Sequence, residues 1–239
     1  MQSQVLVPLD GSTYAEAVLP HALFFAQQTQ SVLTLLRVIM PPGEPEYVAP
    51  YIPDDWYADE VSWTKDYLST LATRLQTQDV QVQTRQLEAT SASAAILSYT
   101  EQHSDVHLIA LTTHRRGIGG RLLFGSDAAN VFASAPISLL FLHPPKDEHL
   151  PSGPITNASY QTIVVPLDGT SPSKQVLEKA TALALTCKAS VLLFLPHLPA
   201  TSTGTTGSAR IHCISPRLPH SLHLSRSKCS GICPLSHYR

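Results

Sequence analysis

The stretch QVLVPLDGS, Gln4–Ser12, decides the fold. Its apolar run up to Leu9 is rich in valine and leucine, which is typical of a strand buried in a parallel sheet. The polar turn DGS (residues 10–12) ends the strand, and Ser12 or Thr13 can cap a following helix. That helix is predicted over Thr13–Gln28, with a kink or a late start at Pro20. A buried strand that leads directly into a helix predicts the first half of a βαβ unit.

The same order of strand and helix continues to about residue 142. Further strands are predicted at Ser31–Val38, Val80–Leu87, Val106–Leu111 and Ile137–Leu142, and further helices at Asp54–Gln78, Ser91–His103 and Ser126–Ser134. The proline-rich stretch over residues 41–56 is expected to be a long loop. This alternation predicts an α/β fold with a Rossmann-like five-stranded parallel sheet, helices on both faces and right-handed crossovers.

A glycine-rich segment follows the fourth strand, LTTHRRGIGGRLLFGSD over Leu111–Asp127. Glycine lets a backbone approach a ligand closely, and the unpaired N–H groups of the helix that opens at Ser126 favour an anion. In parallel sheets, ligands bind beyond the carboxyl ends of the strands, where the winding reverses. Asp10 and this segment both follow strands. We therefore expect a phosphate site here, with a plain surface loop as the alternative.

The opening of the chain recurs near residue 160. The pentapeptide VPLDG at residues 165–169 matches residues 7–11 letter for letter, and helix positions match at the same offset. We therefore predict four segments. They are a first domain over residues 1–143, a linker over 144–159, an incomplete second copy over 160–195 and a tail over 196–239. The tail lacks acids and periodicity, which favours disorder or a shifted reading frame.

The composition of the sequence indicates where the protein is located and which classes of partner it binds. Neither a signal peptide nor an apolar run long enough to cross a membrane is evident, which predicts a cytoplasmic protein. Positive charge gathers in the last quarter but is sparse, so we expect neither a nucleic-acid nor a membrane partner. The cysteines and histidines of the tail lie in a stretch without a hydrophobic pattern, so zinc binding is not expected.

The strand and turn VLVPLDGS, together with the glycine segment, resemble the universal stress protein family. The segment is similar to that family's nucleotide motif, G-x-x-G, nine residues, then G-[ST]. The resemblance covers residues 1–143 and the start of a tandem second domain at about residues 160–195. It implies a Rossmann-like domain that forms a homodimer through its last strand. Because many members bind ATP, it also implies ATP as the ligand, with Mg²⁺.

Site residues follow from this resemblance position by position. Asp10 matches the acid that meets the adenosine part of the ligand, and Pro8 and Val38 match residues lining the adenine pocket. Gly125 and Ser126 match the phosphate end of the motif. The candidate nucleotide-binding residues are Pro8, Asp10, Val38, Leu111, Thr112, Arg115, Gly125, Ser126 and Asp127.

Three of these positions depart from the family pattern. Thr112 and Arg115 stand where the first two glycines belong, and Asp127 replaces an apolar residue. The side chain of Arg115 can fill the triphosphate space, and the carboxylate of Asp127 can repel a phosphate. The alternative function is therefore a nucleotide-free dimerisation and signalling domain. We expect no catalysis, because no carboxylate or nucleophile is spaced to orient His114 as a base.

Overall fold

The computed structural model describes residues 2–41, 55–75, 79–113, 126–144, 153–168, 170–195 and 210–214. These residues belong to two compact units, residues 1–158 and 159–239. Within the described ranges, no helix is both long enough and apolar enough to span a membrane.

The first unit alternates strands and helices as predicted. Its elements are β1 (Gln4–Pro8), α1 (Thr13–Glu16), α2 (Leu19–Gln28), β2 (Val32–Ile39), α3 (Trp56–Leu75), β3 (Val82–Glu88), α4 (Ala92–Gln102), β4 (Val106–Thr112), α5 (Ser126–Ser134) and β5 (Ser138–Leu142). The strands form one sheet in the order β3-β2-β1-β4-β5, and every neighbouring pair is parallel. The five-stranded parallel sheet is therefore confirmed. Its winding reverses between β1 and β4, which opens a crevice at their carboxyl ends.

Helices cover both faces of this sheet, because successive side chains of each strand point to opposite sides. On one face, Val5 and Val7 of β1 pack in a buried cluster with residues of α2 and α3. On the other face, Leu6 lies in a second cluster that includes Ile96 of α4 and Val131 of α5. The crevice between β1 and β4 therefore opens beside α4 and α5.

The helix predicted over residues 13–28 is interrupted just before Pro20, the residue at which a kink or a late start was expected. It divides into α1 and α2, and Pro20 lies in the first turn of α2, where its missing N–H is tolerated. Ser12 caps α1 by accepting a hydrogen bond from the N–H of Ala15. The short α1 thus lies directly beyond the carboxyl end of β1.

The described part of the predicted linker is attached to the first unit. Ile155 is buried, and its N–H donates to the carbonyl of Arg74 at 3.3 Å. The N–H of Ala158 donates to the carbonyl of Pro20 at 3.0 Å. Residues 153–158, which we call the strap, extend this unit beyond the predicted boundary at residue 143, because an apolar side chain and backbone hydrogen bonds fix them in place.

The second unit contains β6 (Thr162–Pro166), α6 (Ser171–Cys187), β7 (Ser190–Leu195) and β8 (Arg210–Ile214). Strands β6 and β7 are parallel, whereas β8 runs antiparallel to β7. The expectation of a structureless tail is therefore wrong at residues 210–214, since the open edge of β7 offers backbone partners to this segment. The origin of the unit as a partial second copy stays a prediction.

Candidate functional site

A pocket of about 410 Å³ lies at the carboxyl ends of β1, β2 and β4 and at the first turns of α4 and α5. It is the site expected from the reversal of winding between β1 and β4. Arg115 and Gly125, two of the predicted site residues, lie outside the described residues. The structure brings the other seven predicted residues together around this pocket: Pro8, Asp10, Val38, Leu111, Thr112, Ser126 and Asp127.

Asp10 is held at the rim of the pocket by its own turn. One carboxylate oxygen, Oδ1, accepts hydrogen bonds from the N–H and the hydroxyl of Ser12, at 2.9 and 2.6 Å. The side chain is exposed, and its other oxygen, Oδ2, has no hydrogen-bond partner among the described residues. The turn therefore fixes the carboxylate and leaves one oxygen for a ligand.

The inner wall of the pocket is apolar. Leu36, Ile96, Leu111 and Val131 line it and belong to the buried cluster between the sheet and the helices α4 and α5. Val38 packs against the same cluster and lines the pocket beside them. A wall of rigid aliphatic side chains suits the flat face of an aromatic ring.

The first turn of α5 forms the opposite end of the pocket. Ser126 is the first residue of this nine-residue helix and is exposed at the pocket. The first N–H groups of a helix have no partner within the helix and carry partial positive charge. Asp127 follows, and its Oδ1 accepts a hydrogen bond of 3.1 Å from the N–H of Ser93 in α4.

Two charged residues of the pocket were not predicted from the sequence. Arg37 of β2 and Glu60 of α3 form an ion pair of 2.6 Å, and both line the pocket. Arg37 also donates from Nε to the hydroxyl of Thr64 at 3.1 Å and lies 4.7 Å above the ring of Trp63. A lone arginine in the apolar strand VLTLLRVI was the signal available in the sequence. Its partners could not be inferred, because they lie on another element.

Trp63 connects α3 to the turn that holds Asp10. Gly11 has φ +88, and a Cβ atom built there would lie 2.6 Å from Cη2 of Trp63. Only glycine therefore fits both the conformation and the space. Trp63 stacks on Tyr67 of the same helix, and it is 46% exposed. Burial, followed by the nearby carboxylate of Glu16, raises the pKa of Tyr67, which stays neutral.

The start of the glycine segment is anchored from two sides. The carbonyl of Thr113 accepts a hydrogen bond of 2.5 Å from the hydroxyl of Tyr14 in α1 and lies 3.0 Å from Nδ1 of His143. The N–H of Thr113 donates to the carbonyl of Leu142 at 2.8 Å. The backbone that enters residues 114–125 is thereby fixed at Thr113, one residue after Thr112 of the pocket.

The groups around this pocket are suited to binding. They are an exposed carboxylate, an apolar wall, a paired guanidinium and a helix N-terminus. Among the described residues, no three His, Cys, Asp or Glu side chains gather into a metal-binding group.

Comparison with known proteins assigns the fold. The model of the universal stress protein family matches residues 1–143, which hold the whole five-stranded sheet and the pocket. No curated protein matches the chain in sequence.

Solved structures agree with that match. A universal stress protein from Archaeoglobus fulgidus superposes with a TM-score of 0.57 at 13% identity, over 79% of this chain and 63% of that one. A functionally unknown protein from Pseudomonas aeruginosa gives 0.55 at 19% identity, over 81% and 60%. The universal stress protein UspA from Lactobacillus plantarum gives 0.48 at 23% identity, over 59% of this chain and 98% of that one. At these identities the first two superpositions show the fold alone.

Proposed function

The chain belongs to the universal stress protein family, and from this premise we propose that its first unit is a stress-response module that binds ATP, as MgATP, in the pocket at the carboxyl edge of the sheet. The observation that carries the proposal is the convergence of seven predicted residues on one pocket. The adenine ring would lie on the apolar wall beside Pro8 and Val38. The ribose would meet Asp10, and the phosphates would meet the first turn of α5 at Ser126.

The size and chemistry of the pocket support this assignment. Its volume of about 410 Å³ falls within the range of about 300–1,000 Å³ that is usual for small-molecule sites. Asp10 keeps one oxygen for ribose hydroxyls, and a helix N-terminus is a ready site for phosphate. Mg²⁺ would neutralise phosphate charge, since it prefers oxygen ligands and binds through phosphates.

Arg37 supports an anionic ligand in a pocket that also contains carboxylates. Asp10, Glu60 and Asp127 all line the pocket. The ion pair to Arg37 offsets the charge of Glu60, and the hydrogen bond from Ser93 engages Asp127. All three carboxylates therefore have partners within the protein, since Ser12 donates to Asp10, and the cation of Arg37 lowers the repulsion of a triphosphate.

Calorimetric titration of the full chain with MgATP tests the proposal. We expect saturable binding, competition by adenosine and weaker binding of MgGTP. Lack of saturation at millimolar MgATP would overturn the nucleotide assignment. Phosphate release measured in the same samples checks the expectation that the protein binds ATP without turning it over.

A pair of glutamate substitutions on α5 tests the phosphate end. Ser126→Glu places a carboxylate at the pocket, whereas Ser134→Glu places one at the exposed far end of the same helix. An acid in the first turn stabilises a helix, so lost binding in the first variant would not come from unfolding of α5. We expect Ser126→Glu to weaken ATP by about tenfold or more, with adenosine unchanged, and Ser134→Glu to match the natural protein.

A homodimer through β5 is the second part of the proposal. Among the strands that the structure describes, β5 lies at the edge of its sheet and pairs with β4 alone. Beside it, Phe132 is 58% exposed and contacts Phe141 at a ring distance of 5.7 Å. An apolar side chain next to an open strand edge favours pairing with a second copy. The same edge would also form the dimer interface of a nucleotide-free dimerisation and signalling domain, which is the competing function.

Light scattering after size exclusion tests the dimer. We expect the full chain to elute as a dimer and Phe132→Glu to shift it towards the monomer, with MgATP binding retained. A natural protein that is monomeric at high micromolar concentration would contradict the interface. A dimer that binds no nucleotide would support the competing function.

A further inference from the structure

Asp127 lies at the junction of two helix N-termini that meet at the pocket. Its Oδ1 accepts the hydrogen bond from the N–H of Ser93, the second residue of α4. Asn130, one turn further along α5, lies 3.4 Å from the hydroxyl of Ser93 through its side-chain nitrogen. Ser93 is 3% exposed, whereas Asp127 is half-buried and Asn130 is exposed, so the contacts lie at the edge of the buried part of the unit. Two side chains on one face of α5 therefore hold the same residue of α4.

The N-terminus of α4 needs this partner. Ser91 caps the helix by accepting a hydrogen bond of 3.3 Å from the N–H of Ala94. That bond leaves the N–H of Ser93 without a partner on its own helix, and Asp127 supplies one. An anion at this place also interacts favourably with the dipole of α4. The carboxylate thus fills the anion site of α4 from within the protein.

We infer that Asp127 is a positioning residue of the nucleotide site: its carboxylate ties the first turn of α5 to the first turn of α4 and so fixes the helix N-terminus that receives the phosphates. This inference rests on the proposed function. It sets a second effect against the expectation that Asp127 opposes the ligand: the carboxylate keeps its charge, but its hydrogen bond with α4 holds the first turn of α5 in place. The departure from the family pattern then strengthens the site.

A matched pair of substitutions separates positioning from repulsion. Asp127→Asn removes the charge but keeps an oxygen that can accept from Ser93, whereas Asp127→Val removes both. We expect Asp127→Asn to bind MgATP within about twofold of the natural protein, and Asp127→Val to bind it about tenfold more weakly. Adenosine, which lacks phosphates, should bind equally to all three. If both variants bind MgATP more tightly than the natural protein, Asp127 acts by repulsion and the inference is overturned.

Amide hydrogen exchange at Ser93 supplies a readout that needs no ligand. We expect faster exchange at this amide in Asp127→Val than in Asp127→Asn or the natural protein, while the strands of the sheet keep their protection. Unchanged exchange in Asp127→Val overturns the tie between the helices, whether or not ATP binds.

The two measurements also separate the inference from the proposed function. If the natural protein binds no MgATP but exchange at Ser93 is still faster in Asp127→Val, the contact between the two helices is supported and the proposed nucleotide binding is overturned. A natural protein that binds MgATP, with Asp127→Val binding it equally well, keeps the function and overturns the inference.

Discussion

The first βαβ of each unit is built on the same local chemistry. Strand β1 pairs with β2 from Gln4 opposite Val32, and β6 pairs with β7 from Thr162 opposite Ser190. The two strand pairs therefore have the same register, since both strands of the second pair are displaced along the chain by the same number of residues. The turn repeats as well. Asp168 accepts hydrogen bonds from the N–H and the hydroxyl of Thr170 at 2.9 and 2.7 Å, as Asp10 does from Ser12.

The two units differ on one face of the sheet. Leu6 of β1 is fully buried under α4 and α5, whereas Val164, which stands at the matching place in β6, is 57% exposed. On the opposite face, Val7 and its counterpart Val165 are both buried, since a helix covers each. The difference teaches that the turn depends on a few adjacent residues, whereas the pocket depends on β4, α4 and α5.

The largest expected difference concerns stability. Leu6→Ala deletes a fully buried side chain and should cost the first unit about 2–5 kcal/mol. Val164→Ala removes an exposed side chain and should change the second unit by less than about 0.5 kcal/mol. Hydrogen exchange of peptides that cover β1 and β6 measures each unit separately. An equal loss of protection in the two variants would show that the face of β6 that carries Val164 is covered in the same way as the face of β1 that carries Leu6.

The second difference concerns the ligand. Asp10→Asn keeps the oxygen that Ser12 binds and removes the charge offered to the ribose, so MgATP should bind about tenfold more weakly. Asp168→Asn makes the same change in the matching turn and should leave the affinity unchanged. Calorimetric titration of both variants gives the comparison. An equal effect of the two substitutions would mean that the second turn takes part in binding.

The third difference concerns Arg37, whose place in the second unit is taken by Leu195. Arg37→Leu leaves Glu60 without its partner at the pocket and removes the cation above Trp63. We expect MgATP to bind several-fold more weakly, about 1 kcal/mol, and the tryptophan emission to change. Arg37→Lys, which keeps the charge, is the control. Unchanged affinity in Arg37→Leu would remove this residue from the site.

The smallest effect expected is a pH dependence of the first unit. His107 lies 2.6 Å from the hydroxyl of Ser3, and burial lowers its pKa below the ordinary value of 6.5. The unfolded chain therefore binds this proton first as the pH falls. Stability should be complete above about pH 6.5 and decline below it, until the folded histidine is also protonated. Denaturant unfolding followed by tryptophan emission at pH 7.5 and 5.5 measures the decline, which His107→Gln should reduce.

The fold could be predicted from the sequence because its evidence is local. Apolar runs such as Val5–Leu9 mark buried strands, and residues such as Ser12 and Pro20 mark helix ends within one turn. The pocket could be placed for a related reason, since parallel strands bring their carboxyl ends to one edge. Seven candidate residues met there without any knowledge of the packing.

Contacts between distant elements could not be predicted in the same way. The pairing of Arg37 with Glu60 depends on how α3 lies across β2, and the contact of Asp127 with Ser93 depends on how α5 meets α4. Arg37 and Asp127 were each visible in the sequence as a charged residue near apolar ones, but their partners were not. Strand β8 was missed because its partner is the edge of β7, which no pattern within residues 210–214 reveals.

The contacts of the strap determine where the chain can be truncated without loss of packing in the first unit. A fragment that ends at residue 143 loses Ile155 from the cluster over α2 and α3 and the carbonyl of Gly153 that accepts from Nε of Arg74. A fragment that ends at residue 158 keeps both. The second choice is therefore the one for recombinant production of the first unit, and limited proteolysis should spare the peptide bonds between Gly153 and Ala158.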